Sequence, residues 1–294
     1  MTGFTRIDFS LLPPPDVVKP VDYQKLKDNS IQRLASLDDR FAGVLESDPS
    51  AKIIEVNAYD RMIDRQEVND SARAVMLAFS RGADLDNLGV LVGCKRLVIG
   101  TDNKGKPIME SDERFKRRIQ LAPEAWSVAG PREAYIYWAL TLAAGITDAS
   151  VFQLAPGQLQ VTALGKAPNG LATEDELLKI REGFKLRGLT PLTDHLVVSQ
   201  PTVKSYRIQA DVWFYPGPDA TLIQTKISEA MDKFLKETRK LGRDVARSAI
   251  TAAIHQGGVS RVALNEPAED IINDDRELGL PLLGINLNPA GRSE

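Results

Sequence analysis

Between Pro49 and Gly82 the chain contains no glycine and no proline, and this gap constrains the fold more than any other feature. Asp48 can cap a helix start, and Pro49 suits the first helical position, where its missing N–H is not needed. The spacing predicts one helix of about 30 residues, about 45 Å long at 1.5 Å per residue. Arg81-Gly82 reads as its stop, with the glycine in the left-handed position that ends many helices. Ile53, Val56, Tyr59 and Ile63 form one apolar face, and Val68, Ala72, Val75, Met76 and Phe79 form another. Asp64, Arg65, Gln66, Glu67, Asn69 and Asp70 lie between them. Such a helix either joins one bundle with a solvated middle or packs against different neighbours at its two ends. The sequence leaves both open.

Residues 1–20 read as an extended proline-rich arm. Leu11-Leu-Pro-Pro-Pro-Asp-Val-Val-Lys-Pro20 holds four prolines, which favour polyproline conformations and forbid a helix. Leu11, Leu12, Val17 and Val18 are too apolar for a plain disordered tail, so the arm is expected to lie on a partner or on the body of the protein. A helix from Asp22 to Phe41 carries Tyr23, Leu26, Leu34, Leu37 and Phe41 on one stripe, and a short one spans Ala83 to Val92. Residues 21–95 thus form a helical region, and its candidate interface residues are Ile53, Val56, Tyr59, Ile63, Val75 and Phe79, with Leu11, Leu12, Val17 and Val18 of the arm.

Residues 96–146 read as a hairpin and helices at a junction. Leu97-Val-Ile99 and Pro107-Ile-Met109 flank the turn Lys104-Gly-Lys-Pro107, and Ser111 caps a helix whose basic run Arg114–Arg118 is expected on a surface or subunit salt-bridge face. Gly130 and Pro131 are expected to open an amphipathic helix carrying Tyr135, Tyr137 and Trp138. Residues 147–201 read as strand, strand, helix, strand; residues 202–288 repeat a similar α+β pattern with helices at Asp219–Leu241 and Arg243–His255. Residues 289–294 read as a polar, frayed tail. The fold class is α+β: an N-terminal helical region with a long helix, then two small α+β units of β-α-β type.

Little in the chain is suited to chemistry. A net charge of −3 argues against a general nucleic-acid binder, and no run of roughly 18 apolar residues suggests a membrane span, so the chain reads as soluble. Cys94 is the single cysteine, expected as a buried hydrophobe. Gly100-Thr-Asp-Asn-Lys-Gly-Lys106 matches a phosphate-loop spacing, but Pro107 stands where Ser or Thr must ligate magnesium, so a hairpin tip is the better reading. His195 and His255 have no metal-ligand spacing. The acids Glu269, Asp270, Asp274, Asp275 and Glu277 are expected in a solvated loop; the enzymatic alternative is a glycan hydrolase using acids near 269–277. No catalytic residue, cofactor or metal is expected.

Several segments, in order, resemble the baseplate J-like protein family, the wedge proteins of contractile phage tails and tail-like bacteriocins. They are Leu12-Pro-Pro-Pro-Asp-Val-Val18, Glu46-Ser-Asp-Pro49, Arg81-Gly-Ala-Asp-Leu-Asp-Asn-Leu-Gly89, Glu110-Ser-Asp-Glu-Arg-Phe115 and Ser127-Val-Ala-Gly-Pro-Arg-Glu-Ala-Tyr135. Ala155-Pro-Gly157, Pro191-Leu-Thr-Asp194, Tyr215-Pro-Gly-Pro218 and Leu241-Gly-Arg-Asp-Val245 continue the pattern. The resemblance implies a structural wedge assembling around a central hub with copies of itself, smaller wedge proteins and sheath-initiating proteins. It implies assembly in the host cytoplasm, no nucleic acid and no membrane insertion. It carries over no catalytic residues, and the 100–109 segment and the C-terminal tail are assigned no partner.

Overall fold

The computed structural model describes residues 12, 13, 15–41, 43, 48–127, 129–191, 193–216 and 220–292. Leu11, part of the expected arm and interface, lies outside the described residues, as do Pro14, Glu46, Ser47, Val128, Leu192, Gly217 and Pro218 of the quoted segments. The chain divides into two compact units, Met1–Arg96 and Leu97–Glu294.

The first unit is helical. Helix α1 spans Tyr23–Leu37, and the Asp22 carboxylate accepts a hydrogen bond from the Lys25 N–H at its start. It ends earlier than the expected Phe41, because Asp38 turns extended and a 3-10 turn, Asp39–Phe41, follows. None of the α1 side chains is fully buried, and Leu37 of the expected stripe is 78% exposed. Helix α2 spans Pro49–Ala74, 26 residues, so the expected helix of about 30 stops short. Its last turn closes at Val75, and the Phe79 and Ser80 N–H groups both donate to the Met76 carbonyl. That tight turn buries Ser80. Gly82, expected to stop α2, takes φ +52 at the start of helix α3, Gly82–Leu91. The left-handed glycine belongs to the entry of one helix, not the exit of the other.

The second unit begins with a two-stranded hairpin, β1 (Val98–Thr101) and β2 (Pro107–Met109), then helix α4 (Asp112–Leu121), capped by the Ser111 hydroxyl. Helix α5, Arg132–Leu142, starts one residue later than expected, with Pro131 as its cap and Gly130 left-handed before it. The amphipathic expectation fails here: Ala134, Tyr135, Ile136, Tyr137, Ala139 and Leu140 are all buried, so the helix is covered nearly all round. Tyr135 sits 5.7 Å from the Phe184 ring and donates to the Asp194 carboxylate at 2.7 Å. Burial, reinforced by that carboxylate, raises its phenol pKa.

Strands β3 (Ile146–Ala155) and β4 (Gln158–Gly165) form an antiparallel hairpin, and β5 (His195–Ser199) joins β4 in parallel after helix α6, Glu174–Arg187. Thr173 and Glu176 make a reciprocal capping box at the α6 start. In the second sheet β6 (Thr202–Phe214) is central, with β7 (Val259–Glu266) antiparallel and β8 (Glu277–Arg292) parallel to it. Helices α7 (Ala220–Thr238) and α8 (Arg247–Ile254) pack Ile227, Met231, Ile250 and Ile254 against Ile208 and Val212 of β6. The expected polar tail is instead strand as far as Arg292, which pairs with Phe214. Its polar composition suits an edge strand, where Pro281 and Pro289 lack the N–H a further strand would need.

The start of the second unit is held by a buried ion cluster. Glu110, which is fully buried, accepts from Arg118 (98% buried) and from Arg114 at 2.6 Å. Arg114 also donates to the carbonyls of Leu140 at 2.7 Å and Ile146 at 3.2 Å, satisfying the open end of α5. The Arg118 guanidinium lies over the Tyr137 ring, and its Nε donates to the Thr141 hydroxyl at 3.3 Å. The basic run therefore turns inward, against the surface face expected for it; helical spacing alone could not show that a carboxylate waited inside. Burial lowers the Arg114 pKa, opposed by the Glu110 charge.

Two substitutions test this packing. Glu110→Ala strands buried cations and should cost about 3–5 kcal/mol, lowering the melting temperature by roughly 10 °C; adding Arg118→Met should recover part of that loss, measured by thermal denaturation. Gly165→Ala would drive a Cβ into the Leu171 backbone carbonyl and should cost about 1–3 kcal/mol.

Candidate functional site

The functional surface of this chain is best sought on α2, which is apolar on two opposite sides. At about 100° per residue, Ala51, Ile54 and Ala58 fall within about 60° of one another, while Ile53, Val56, Tyr59 and Ile63 span about 120° on the other side. The first group is buried, at 3%, 8% and 0% exposure; the second is 72%, 62%, 53% and 40% exposed. The covered side faces α1, to which Lys27 ties it through a 3.0 Å ion pair with Glu55. Lys52 and Lys27 hold that carboxyl below its usual pKa range. Beside this contact lies an apolar groove of about 480 Å³ between α1 and α2, lined by Leu34, Leu37, Phe41, Ile53 and Ile54, with Arg33 and Arg61 at its rim.

Among the described residues, a buried side-chain amide of α2 holds the arm. Asn69, buried to 2% exposure, accepts from the Lys19 N–H at 3.1 Å and donates to the Lys19 carbonyl at 2.8 Å. One side-chain amide thus treats the arm as a strand treats its neighbour. Leu12 and Val17 remain exposed and Val18 is half-buried. At the far end of α2, Val75 is exposed and Phe79 half-buried. Of the ten interface residues expected from sequence, Ile53, Val56, Tyr59 and Ile63 share the outer face of α2, and Leu11 lies outside the described residues.

Within the second unit, the two α+β layers meet at a polar joint that the sequence did not single out. Alternate residues of β3 face it. Asp148 accepts from Arg117 and from the Leu241 N–H at 3.0 Å, Ser150 donates to the Asp275 carbonyl, and the Phe152 ring carries the Arg276 guanidinium at 4.5 Å. Arg132 of α5 spans the same joint, donating to the Val151 carbonyl at 2.8 Å and to the Asp275 carboxylate at 2.6 Å. The period-two spacing of 148, 150 and 152 was the available signal, but it reads equally as an ordinary solvent face.

Asp270, Asp274, Asp275 and Glu277 of the acidic loop are taken up by structural contacts. Asp270 accepts from the Arg247 N–H at the start of α8, Asp274 pairs with Arg276 at 2.8 Å, and Glu277 pairs with Lys204 at 2.6 Å. These hydrogen bonds lower the pKa of both Asp274 and Glu277, opposite to the shift a glycosidase general acid needs. His195 is exposed on β5, His255 is exposed at the end of α8, and Cys94 is buried. Among the described residues no group of three or more His, Cys, Asp or Glu side chains is placed to hold a metal, and no helix is long and apolar enough to cross a membrane. At the phosphate-loop-like stretch, the Asp102 carboxylate accepts from the Lys104 and Lys106 N–H groups at 2.8 Å each, and a strand follows instead of a helix.

The chain matches three domains of one family in sequence order. They are the Baseplate J-like N-terminal domain over residues 46–103, the Baseplate J-like central domain over 127–200 and the Baseplate J-like protein C-terminal domain over 206–279. The central match contains α5 and the whole first sheet. Baseplate protein J of Escherichia phage P2 is 37% identical over 278 residues, covering 90% of this chain and 92% of that protein. Among solved structures, a chain of the six-fold-symmetrised anti-feeding prophage baseplate aligns with a TM-score of 0.42 at 15% identity. That alignment covers 60% of this chain and 43% of the other, so this chain spans less than half its length, and the likeness carries no argument here. With the three domains in order and a near full-length relative at this identity, the chain belongs to the baseplate J-like family.

Proposed function

We propose that the protein is a structural component of the baseplate of a contractile tail or tail-like particle, and that it works by burying surface on its neighbours without catalysing a reaction. The observation that carries this is α2, a helix with two apolar sides and only one of them covered. The apolar face left in water by Ile53, Val56, Tyr59 and Ile63 is the mark of an interaction surface. Family membership and the baseplate role in the name of the phage P2 relative support the same reading. The partners are other wedge and hub proteins, copies of this chain and sheath-initiating proteins. The site of action is the particle baseplate, assembled in the bacterial host cytoplasm. A stable contact should bury on the order of 1,600 Å². The arm residues Leu12, Val17 and Val18 and the α2 end at Val75 and Phe79 offer further contacts to those partners.

The test is reconstitution with the other baseplate proteins of the particle, followed by electron microscopy and sedimentation. The parent chain should enter wedges or rings. Ile53→Asp with Val56→Asp should leave the stability of the isolated chain within about 0.5 kcal/mol per substitution, since both sites are exposed. Its incorporation should fall at least about tenfold, equivalent to about 1.4 kcal/mol. Assembly of this variant at the parental level would contradict the proposal, and so would hydrolysis of cell-surface glycan by the parent that is lost on Asp274→Asn.

A further inference from the structure

The β1–β2 hairpin is the least self-sufficient element of the second unit. Val98, Ile99, Ile108 and Met109 are 54%, 36%, 44% and 43% exposed, and every residue of both strands is exposed. Val98 faces Met109 on one side of the ribbon, while Gly100 faces Ile108 on the other, with the register shifting between Val98 and Gly100. Apolar side chains therefore stand on both faces. A two-stranded ribbon is at best marginally stable in water by itself. Its direction is nonetheless fixed at the base. The Leu97 N–H donates to the buried Glu110 carboxylate at 3.0 Å, and the Glu110 N–H donates to the Leu97 carbonyl at 2.9 Å. The tip is also ordered, because the Asp102 carboxylate takes the Lys104 and Lys106 amides. With the acid occupied in this way, the exposed Lys104 and Lys106 ammonium groups have no ion-pair partner among the described residues.

We infer that this ribbon inserts into an apolar slot with a carboxylate rim on a neighbouring protein subunit of the particle. The two apolar faces select a slot over a flat surface, which would cover one face and leave the other in water. The two lysines select acids at the rim, where opposite charge sets register and speeds encounter. The anchored base lowers the ordering cost of binding. The inference rests on the assembly reading above and adds a second contact, on a different unit of the chain from α2.

Hydrogen exchange on the free protein and on the assembled particle tests it. The amides of 98–101 and 108–109 should exchange at least about tenfold more slowly in the particle. Lys104→Glu with Lys106→Glu, both at an exposed turn, should leave the melting temperature unchanged while removing most of that protection. Three results would overturn the inference: the chain present in the particle with its hairpin exchanging as fast as in the free protein; full protection retained in the double lysine variant; or equal protection from phosphatidylglycerol vesicles alone, which would point to a lipid surface. A chain absent from the particle altogether would instead defeat the assembly reading, and this inference with it.

Discussion

A carboxylate shut away from water between two guanidinium groups sits where the elements of the second unit converge, and much of their placement depends on it. Glu110 receives Arg114 and Arg118 from α4 and the backbone of Leu97 from the base of the hairpin. Arg114 in turn closes the end of α5 and holds the start of β3 through their carbonyls. A buried ion pair is weak evidence for net stability, because desolvation offsets most of the attraction. Its value here is positional: three donors from two elements meet one acceptor in a single arrangement, and a shift of any of them would break a buried hydrogen bond.

From that centre, order passes outward along β3. The side carrying Ala149 and Val151 belongs to the core, and the side carrying Asp148, Ser150 and Phe152 meets the loops around Leu241 and Asp275. Arg132 and Asp275 join the same contact. The polar groups of this joint thus find partners inside the second unit. Apolar surface left on the outside includes the outer face of α2 and both faces of the hairpin. Apolar surface left outside is what a subunit of a larger assembly requires.

Local sequence made much of this legible, and the exceptions share a cause. Caps and periodicity placed the start of α2, the Ser111 cap and the strands of the second unit, because those signals act within a few residues. The end of α2 was misplaced because Gly82 carries a left-handed conformation that serves either the end of one helix or the entry to the next, and only tertiary packing decides. The inward turn of Arg114 and Arg118 was missed although Glu110, Arg114 and Arg118 recur at every fourth residue; that spacing shows a shared face but not whether water or protein covers it. Asp148 was invisible for a related reason, since its partner at Leu241 lies 93 residues away. The outer face of α2 was legible because its apolar pattern persists whether or not a partner is present.

The central claim is that the chain functions by covering surface that it leaves open when alone. The most direct measurement is a residue-level structure of the assembled particle containing this chain. Ile53, Val56, Tyr59 and Ile63 should be buried there against another subunit, with the Glu110 cluster and the Asp148 joint arranged as in the free chain. An assembled particle in which that face of α2 still points into solvent would contradict the account.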